Sequence, residues 1–157
     1  MRRRDREVTN LNDILDILKK CQVLRIALCS NNKPYILPMN FAFEVKNGEI
    51  FIYMHCAKQG KKIDIISKNS SVCFEADVLH EVVKTEKPSD WTAEYESVIG
   101  EGDISMISNE TEKIAALELL MLHYGFNGKP IFEAKILKSV AILQIKVSAI
   151  TGKRNLK

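Results

Sequence analysis

The sequence predicts a mainly β protein of the α+β class, in which about six strands form an antiparallel barrel with helices packed outside it. Short apolar runs alternate with turn residues along the chain, and several runs are joined by hairpin signals. Only one link, over a short helix that begins near Gly60, has the length of a crossover, so a doubly wound parallel sheet is not expected. The 157 residues suffice for one domain with its own core, which we assign to 1–157.

Composition and hydropathy place the chain among ordinary globular proteins. Hydrophobic residues make up 46% of the sequence and charged residues 27%. No apolar run is long enough for a transmembrane helix, and no apolar segment follows the charged N-terminus. We therefore expect a cytoplasmic protein with no membrane contact. The four cysteines form no Cys-x-x-Cys pair, and disulfides are not expected in that compartment.

The net charge of +3 comes entirely from the N-terminal segment. Four arginines between positions 2 and 6 outweigh Asp5 by three charges, so the rest of the chain is neutral. A neutral body argues against a basic nucleic-acid surface, and we expect no nucleic-acid partner. We interpret 1–8 as a basic, solvated arm. A nucleic-acid tail, a dimer arm and a clamp on a phosphate are the alternatives.

A helix is predicted near the N-terminus, after a cap at Thr9 or Asn10. Lys19 and Lys20 suit its C-terminal end, where the helix dipole favours cations. The apolar stripe of this helix has the spacing of one helical face and consists of Leu11, Ile14, Leu15 and Leu18.

Three strands are predicted next, over 23–29, 35–43 and 50–54. A Ser-Asn-Asn-Lys turn separates the first two strands, and Asn47-Gly48 is a strong hairpin signal before the third.

Pro38 lies inside the second of these strands, which predicts an edge, a bulge or a break at that point. A break would leave the backbone of Met39 and Asn40 unpaired and free to meet a ligand.

The second half of the chain begins with a short helix over 60–69 and a strand over 72–78 that alternates with period two. The polar stretch 79–92 is predicted to be a loop, and 93–107 a long strand. Gly100 in that strand is either a bend or a place where the backbone meets a ligand.

The last elements are a helix and a strand. Asn109 caps the helix, with Glu112 at the third position, and Gly125 ends it. The final strand is predicted over 139–147, followed by a Thr-Gly-Lys-Arg tail at 151–154.

One stretch carries the chemistry that the sequence offers. Lys61 and Lys62 begin the short helix, where free N–H groups and ammonium groups favour a phosphate. The P-loop spacing is absent. His55, just before them, is either a structural histidine or a donor and acid–base group. Cys56 is interpreted as structural, and no zinc site is expected because the histidines lack paired spacing.

Seven segments in this order resemble the nitroimidazole-resistance (Nim) branch of the pyridoxamine 5′-phosphate oxidase-like flavoproteins. The resemblance spans nearly the whole chain and rests on the ordered set, because no single motif is diagnostic. The segments are Arg2-Arg-Arg-Asp-Arg-Glu7, Tyr35-Ile-Leu-Pro-Met-Asn-Phe41, His55-Cys-Ala57, Gly60-Lys-Lys-Ile-Asp64, Val72-Cys-Phe-Glu75, Tyr95-Glu-Ser-Val-Ile-Gly100 and Ile150-Thr-Gly-Lys153.

The resemblance implies a split β-barrel homodimer that binds FMN at the subunit interface. It further implies that His55 contacts the reacting group and is the catalytic residue. The tail around Lys153 is expected to reach a cofactor site, across the dimer in one arrangement. The implied cofactor-binding residues are Pro38, Met39, Asn40, Phe41, His55, Cys56, Lys61, Lys62, Ser97, Val98, Gly100 and Lys153.

The function implied by this resemblance is that of an FMN-dependent oxidoreductase, either nitroreductase-like or a related reductase of small molecules. The substrate-binding arginine and the C-terminal ending of the true oxidase are missing, so vitamin synthesis is not expected. The alternative is a flavin- or haem-binding protein without turnover that acts in storage or sensing, with His55 or His123 as a haem ligand.

Overall fold

The computed structural model describes residues 2–156, so Met1 and Lys157, the ends of the predicted domain, lie outside the described residues. Short 3₁₀ turns occur at Arg4–Arg6 and Pro88–Asp90. The strands are β1 (Glu7–Val8), β2 (Leu24–Ser30), β3 (Lys33–Met39), β4 (Phe41–Lys46), β5 (Glu49–Ala57), β6 (Ser71–Val83), β7 (Thr92–Ile107) and β8 (Val140–Asn155). The helices are α1 (Leu11–Lys20), α2 (Lys61–Ile66), α3 (Glu110–His123) and α4 (Ala134–Ser139).

The strands form one antiparallel sheet in the order β3-β2-β6-β7-β8-β5-β4, with β1 paired to the far end of β8. Strands β3 and β4 are thus its two edges, although only Asn40 separates them in the chain. The sheet therefore curves until its edges meet at Asn40, but no ladder within residues 2–156 joins them. This open seam is what a split barrel requires, and it confirms the predicted α+β split-barrel fold.

The predicted count of six strands was wrong, because eight are present among the described residues. The predicted strand 35–43 is two strands, since the chain changes edges at Asn40. Pro38 itself remains inside β3, paired with Arg25. A proline is tolerated there because β3 is an edge strand, where its missing N–H leaves no ladder bond unmade.

Strands β6 and β8 extend well beyond their predicted C-terminal ends. Strands β6 and β7 pair as far as Val83 and Thr92, so most of the predicted loop 79–92 is a hairpin that extends from the barrel. Strand β8 continues to Asn155, so the predicted tail 151–154 is paired strand. Both extensions are polar and partly exposed, and they lack the alternation that marks a half-buried strand. Helix α4 was not predicted.

The N-terminal arm is less free than predicted. Glu7 and Val8 pair with Lys153 and Gly152 of β8, and the Val8 side chain is buried. Gly152 permits this approach, because a Cβ at position 152 would lie only 2.9 Å from the Cβ of Val8. The described arginines of the arm are mostly exposed, but the segment that follows them is part of the sheet.

The core divides between the barrel interior and a layer outside it. Ile14, Ile17 and Leu18 of α1 pack with the apolar interior of the strands. Helix α3 covers the outside of β4 and β5, where its Leu117 and Leu120 join a second apolar cluster. The predicted caps are confirmed: Asn10 accepts from the backbone N–H groups of Asn12 and Asp13, and Asn109 accepts from that of Glu112.

A buried carboxylate joins α1 to three strands of the barrel. Glu96 of β7 is fully buried, and its two carboxylate oxygens accept from Lys20 at 2.6 Å and Arg154 at 2.6 Å. His80 of β6 contacts the same group at 3.0 Å. Burial alone would raise the pKa of Glu96, but these three hydrogen bonds outweigh it and hold the pKa at about 2, against an ordinary value of 4.5.

Glu96→Gln should lower the free energy of unfolding at pH 7 by about 2 kcal/mol, because the buried charge partner of Lys20 and Arg154 is lost. Since the pKa of Glu96 is depressed, its contribution is complete above pH 4.5 and falls away as the pH drops towards about 2. Urea unfolding at several pH values should show a smaller acid-dependent loss in the variant. An unchanged pH profile would contradict this role.

Candidate functional site

An open cavity of about 480 Å³ lies beside the seam between β3 and β4. We call it the seam pocket. Its walls come from the end of β3, the end of β5, α2 and the start of β8. Half of the predicted cofactor-binding residues line it. The lining residues are Pro38, Met39, Asn40, His55, Cys56, Ala57, Lys62, Ser139 and Val140.

His55 and Cys56 lie in strand β5, which continues past the strand end predicted at position 54. They belong to β5, where they pair with Ile142 and Ala141 of β8. Backbone pairing with a central strand fixes both positions, and His55 remains exposed at the pocket. The turn comes later, at Gly60, whose φ of +126° is a conformation that favours glycine and that leads the chain into α2.

Lys62 brings a positive charge to the seam pocket without a carboxylate partner. Its side chain is partly buried, and its ammonium group lies 3.7 Å from the sulfur of Met39, which is a weak acceptor. None of the ion pairs among residues 2–156 includes Lys62. The geometry therefore leaves a cation free to neutralise an anionic group in the pocket.

The structure separates the two lysines that the sequence grouped together. The ammonium group of Lys61 lies 4.2 Å from the ring centre of Tyr35, in a cation–π contact. Lys61 lines a different cavity, together with Lys33, Asp64 and Lys68. Neighbouring residues on a short helix point in different directions, and only Lys62 faces the seam pocket.

Phe41 is placed inside the protein and not at the pocket. Its side chain is fully buried, and its backbone N–H donates to the hydroxyl of Tyr124 at 3.2 Å. The same hydroxyl accepts from the side-chain amide of Asn40 at 3.1 Å and donates to the carbonyl of Gln22. Tyr124 was not among the predicted site residues, because the position of a tyrosine in the sequence gives no sign of what its hydroxyl will contact.

The remaining predicted residues lie in β7 and in the far part of β8. Ser97 pairs with Lys153, while Val98 and Gly100 face the barrel interior. Gly100 is required by packing, because a Cβ there would lie 2.3 Å from the ring of Phe74. Along β8, Lys153 is eleven positions from the partner of His55, which is about 36 Å of extended strand. One chain therefore does not bring this group to the seam pocket.

Two kinds of feature are absent from the described residues. No group of three or more His, Cys, Asp or Glu residues within 2–156 is arranged to hold a metal ion. No helix in that range is both long and apolar enough to cross a membrane.

Comparison with known proteins identifies one family. Residues 10–154 match the family model described as pyridoxamine 5′-phosphate oxidase. A comparison with curated proteins finds no match.

Several solved structures share the fold. One, from Bacteroides thetaiotaomicron, is described as a candidate 5-nitroimidazole antibiotic resistance protein; its TM-score is 0.81 at 24% identity, over 94% of this chain and 85% of that one. The FAD and haem binding protein of Mycobacterium smegmatis has a TM-score of 0.81 at 16% identity, over 97% and 74%. The flavocytochrome Anf3 of Azotobacter vinelandii has a TM-score of 0.79 at 17% identity, over 100% and 72%.

The pKa of the Cys56 thiol depends on the nearby charge of Lys62. Burial raises the pKa of the Cys56 thiol above its ordinary value of 9.0, and Lys62 partly opposes that shift. Lys62→Met should therefore raise the pKa of the Cys56 thiol further. Alkylation of Cys56 by iodoacetamide at pH 8 should then be about threefold slower, as measured by mass spectrometry of the digested protein. Lys61→Met is the matched control and should leave the rate unchanged. Equal rates in wild type and Lys62→Met would contradict the proximity of the two groups.

Proposed function

The chain belongs to the pyridoxamine 5′-phosphate oxidase family, and we propose that it binds FMN in the seam pocket and acts as an FMN-dependent oxidoreductase. The observation that carries the proposal is the ammonium group of Lys62, which is partly buried in an open pocket beside His55 and has only a thioether partner. A flavin phosphate bound in the pocket would supply the anionic partner that Lys62 lacks among the described residues.

The residues of the seam pocket fit a flavin mononucleotide in charge, polarity and size. A volume of about 480 Å³ lies within the range of small-molecule sites. Pro38, Met39 and Val140 offer an apolar surface for a ring system, and Lys62 offers a cation for the phosphate. Lys61 lies just outside and would add to the positive potential.

When bound, FMN would supply hydride or electron transfer, while the chain binds and orients it. His55 is exposed at the pocket, and its place in β5 is fixed by pairing with β8. It would hold or release a proton at a ring nitrogen next to the reacting group. Cys56 would remain a neutral thiol, because burial raises its pKa, and we assign it no nucleophilic role.

We further propose a homodimer in which the partner supplies the second half of the site. Ser97 and Lys153 share an outward sheet face with Ile36, which is 67% exposed, and Ile99, which is 53% exposed. Exposed isoleucines on a sheet face favour burial against another surface. A second copy packed there would place its Lys153 near a seam pocket that it cannot reach within its own chain.

The proposed substrate is a small electron acceptor such as a nitro compound. The fold shared with a candidate 5-nitroimidazole resistance protein supports this choice.

The second candidate function is a flavin or haem carrier without turnover. It is favoured by the two structural neighbours named for haem or flavocytochrome content and by the exposed imidazole of His55. The four free cysteines suit the reducing conditions of the cytoplasm, which is the location we propose.

Dimers assembled from two variants test the shared site. Lys62→Ala and Lys153→Ala homodimers should each bind FMN at least about tenfold more weakly, because a charge-assisted contact is lost. If the site contains Lys62 of one subunit and Lys153 of the other, the mixed dimer has one intact site and binds one FMN per dimer with wild-type affinity, measured by fluorescence titration.

The reciprocal mixture is the control for that experiment. A chain that carries both substitutions, paired with a wild-type chain, should contain no intact site. If this mixture keeps one wild-type site and the first keeps none, both lysines act within one chain and the shared site is wrong.

Turnover separates a reductase from a carrier. FMN-loaded protein under anaerobic conditions should lose its visible flavin absorbance on addition of NADH or NADPH and regain it when a nitroimidazole is added. His55→Gln should slow this cycle by about a hundredfold while FMN affinity changes less than about threefold, because the imidazole is assigned to proton handling. Bound FMN that neither donor bleaches would favour the carrier.

A further inference from the structure

Every hydrogen-bonding site of the Tyr124 hydroxyl has a partner at the seam. A tyrosine hydroxyl has one donor and two acceptor sites. Its single proton is given to the carbonyl of Gln22, and it accepts from the backbone N–H of Phe41 and the side-chain amide of Asn40. A hydroxyl that accepts from Asn40 can only face the NH₂ side of that amide.

This arrangement determines which atom of Asn40 remains free. The Nδ2 atom is held 3.1 Å from the Tyr124 hydroxyl, so the carbonyl oxygen Oδ1, on the other arm of the planar amide, points away from that hydroxyl. Among the described residues, Oδ1 takes part in no side-chain hydrogen bond, although Asn40 lines the seam pocket. The seam pocket therefore has a free hydrogen-bond acceptor, the Oδ1 atom of Asn40.

Tyr124 is itself held by contacts that do not involve the pocket. It directly follows α3, and its neighbour His123 contacts the carbonyl of Cys21 at 2.8 Å. The His123 ring also packs against Phe41, with ring centres 4.9 Å apart. Both carbonyls, of Cys21 and of Gln22, belong to the link between α1 and β2. The hydroxyl is therefore anchored to a part of the chain that forms no wall of the pocket.

We propose that Tyr124 is a positioning residue, which fixes the amide of Asn40 so that Oδ1 accepts a hydrogen bond from a ring N–H of the ligand in the seam pocket. The inference rests on the proposed function, since it takes the imide-type N–H of a flavin ring as that donor. Without Tyr124 the amide can rotate and present NH₂ in place of oxygen, so ligand binding must then also order this side chain.

A double-mutant cycle on FMN affinity tests the proposal. Tyr124→Phe and Asn40→Ala should each weaken FMN binding about threefold to tenfold, measured by quenching of flavin fluorescence in apoprotein. If Tyr124 acts through Asn40, the double variant should bind no more weakly than Asn40→Ala alone. Additive effects of the two substitutions would overturn the positioning role, even if both variants unfold at lower temperature.

His123→Ala is the matched control for damage to the same helix end. It removes contacts to Cys21 and Phe41 but leaves the Tyr124 hydroxyl and Asn40 in place. Any loss of FMN affinity in this variant should add to that of Asn40→Ala. A non-additive result in this control as well would mean that the cycle reports general loosening of the seam, and would also overturn the proposal.

A second readout needs no flavin. In ¹⁵N-labelled apoprotein the Nδ2 proton of Asn40 that is bonded to the Tyr124 hydroxyl should be shifted and slow to exchange with solvent. Tyr124→Phe should move the Asn40 Nδ2 signals to the positions of a free asparagine amide and speed that exchange. Unchanged signals would overturn the orienting contact whatever the flavin data show. Wild-type protein that takes up no FMN would instead overturn the proposed function and the ligand assigned to Oδ1, so the two failures are distinguishable.

Discussion

The two edges of the sheet, β3 and β4, are consecutive in the chain and are joined by a single residue, Asn40, without a ladder between them. Unpaired edges in contact with solvent are usually avoided, because their free N–H and C=O groups are satisfied only by water or another strand. Here the edges open into a pocket, and the hydroxyl of Tyr124 satisfies the N–H of Phe41 at the point of crossing. The opening between β3 and β4 therefore gives a ligand access to the backbone of the strand ends, to the side-chain amide of Asn40 and to the ammonium group of Lys62.

Charge is used in two different ways at the two ends of the barrel. At one end Glu96 is buried, but Lys20, His80 and Arg154 satisfy both of its oxygens, which is the pattern of a structural group that joins elements. At the seam Lys62 is partly buried and is matched only by a sulfur atom. A lysine that faces an open pocket without a carboxylate partner is available to bind an anionic group of a ligand. The contrast is the reason for assigning function to the seam and stability to Glu96.

Local sequence patterns predicted most of the helices and strands but only part of the candidate site. Caps at Asn10 and Asn109 and the hairpin at Asn47-Gly48 were predictable because a few adjacent residues determine them. The change of edges at Asn40 and the pairing of β1 with β8 were not, because they depend on strand order across the whole chain. Lys62 was predicted from its place at the start of a short helix, and His55 from its place just before that helix and from the family resemblance. Tyr124 was missed because its role lies in contacts with Gln22 and Asn40, which are about a hundred and about eighty positions away, respectively.

The central claim is that the seam pocket holds FMN. The most direct test is the absorption spectrum of the purified protein, with the mass of any released chromophore measured from the same sample. The account predicts a flavin spectrum and the mass of FMN, either as isolated or after addition of FMN and removal of the excess. A haem spectrum, or a protein that remains colourless after exposure to FMN, would contradict it.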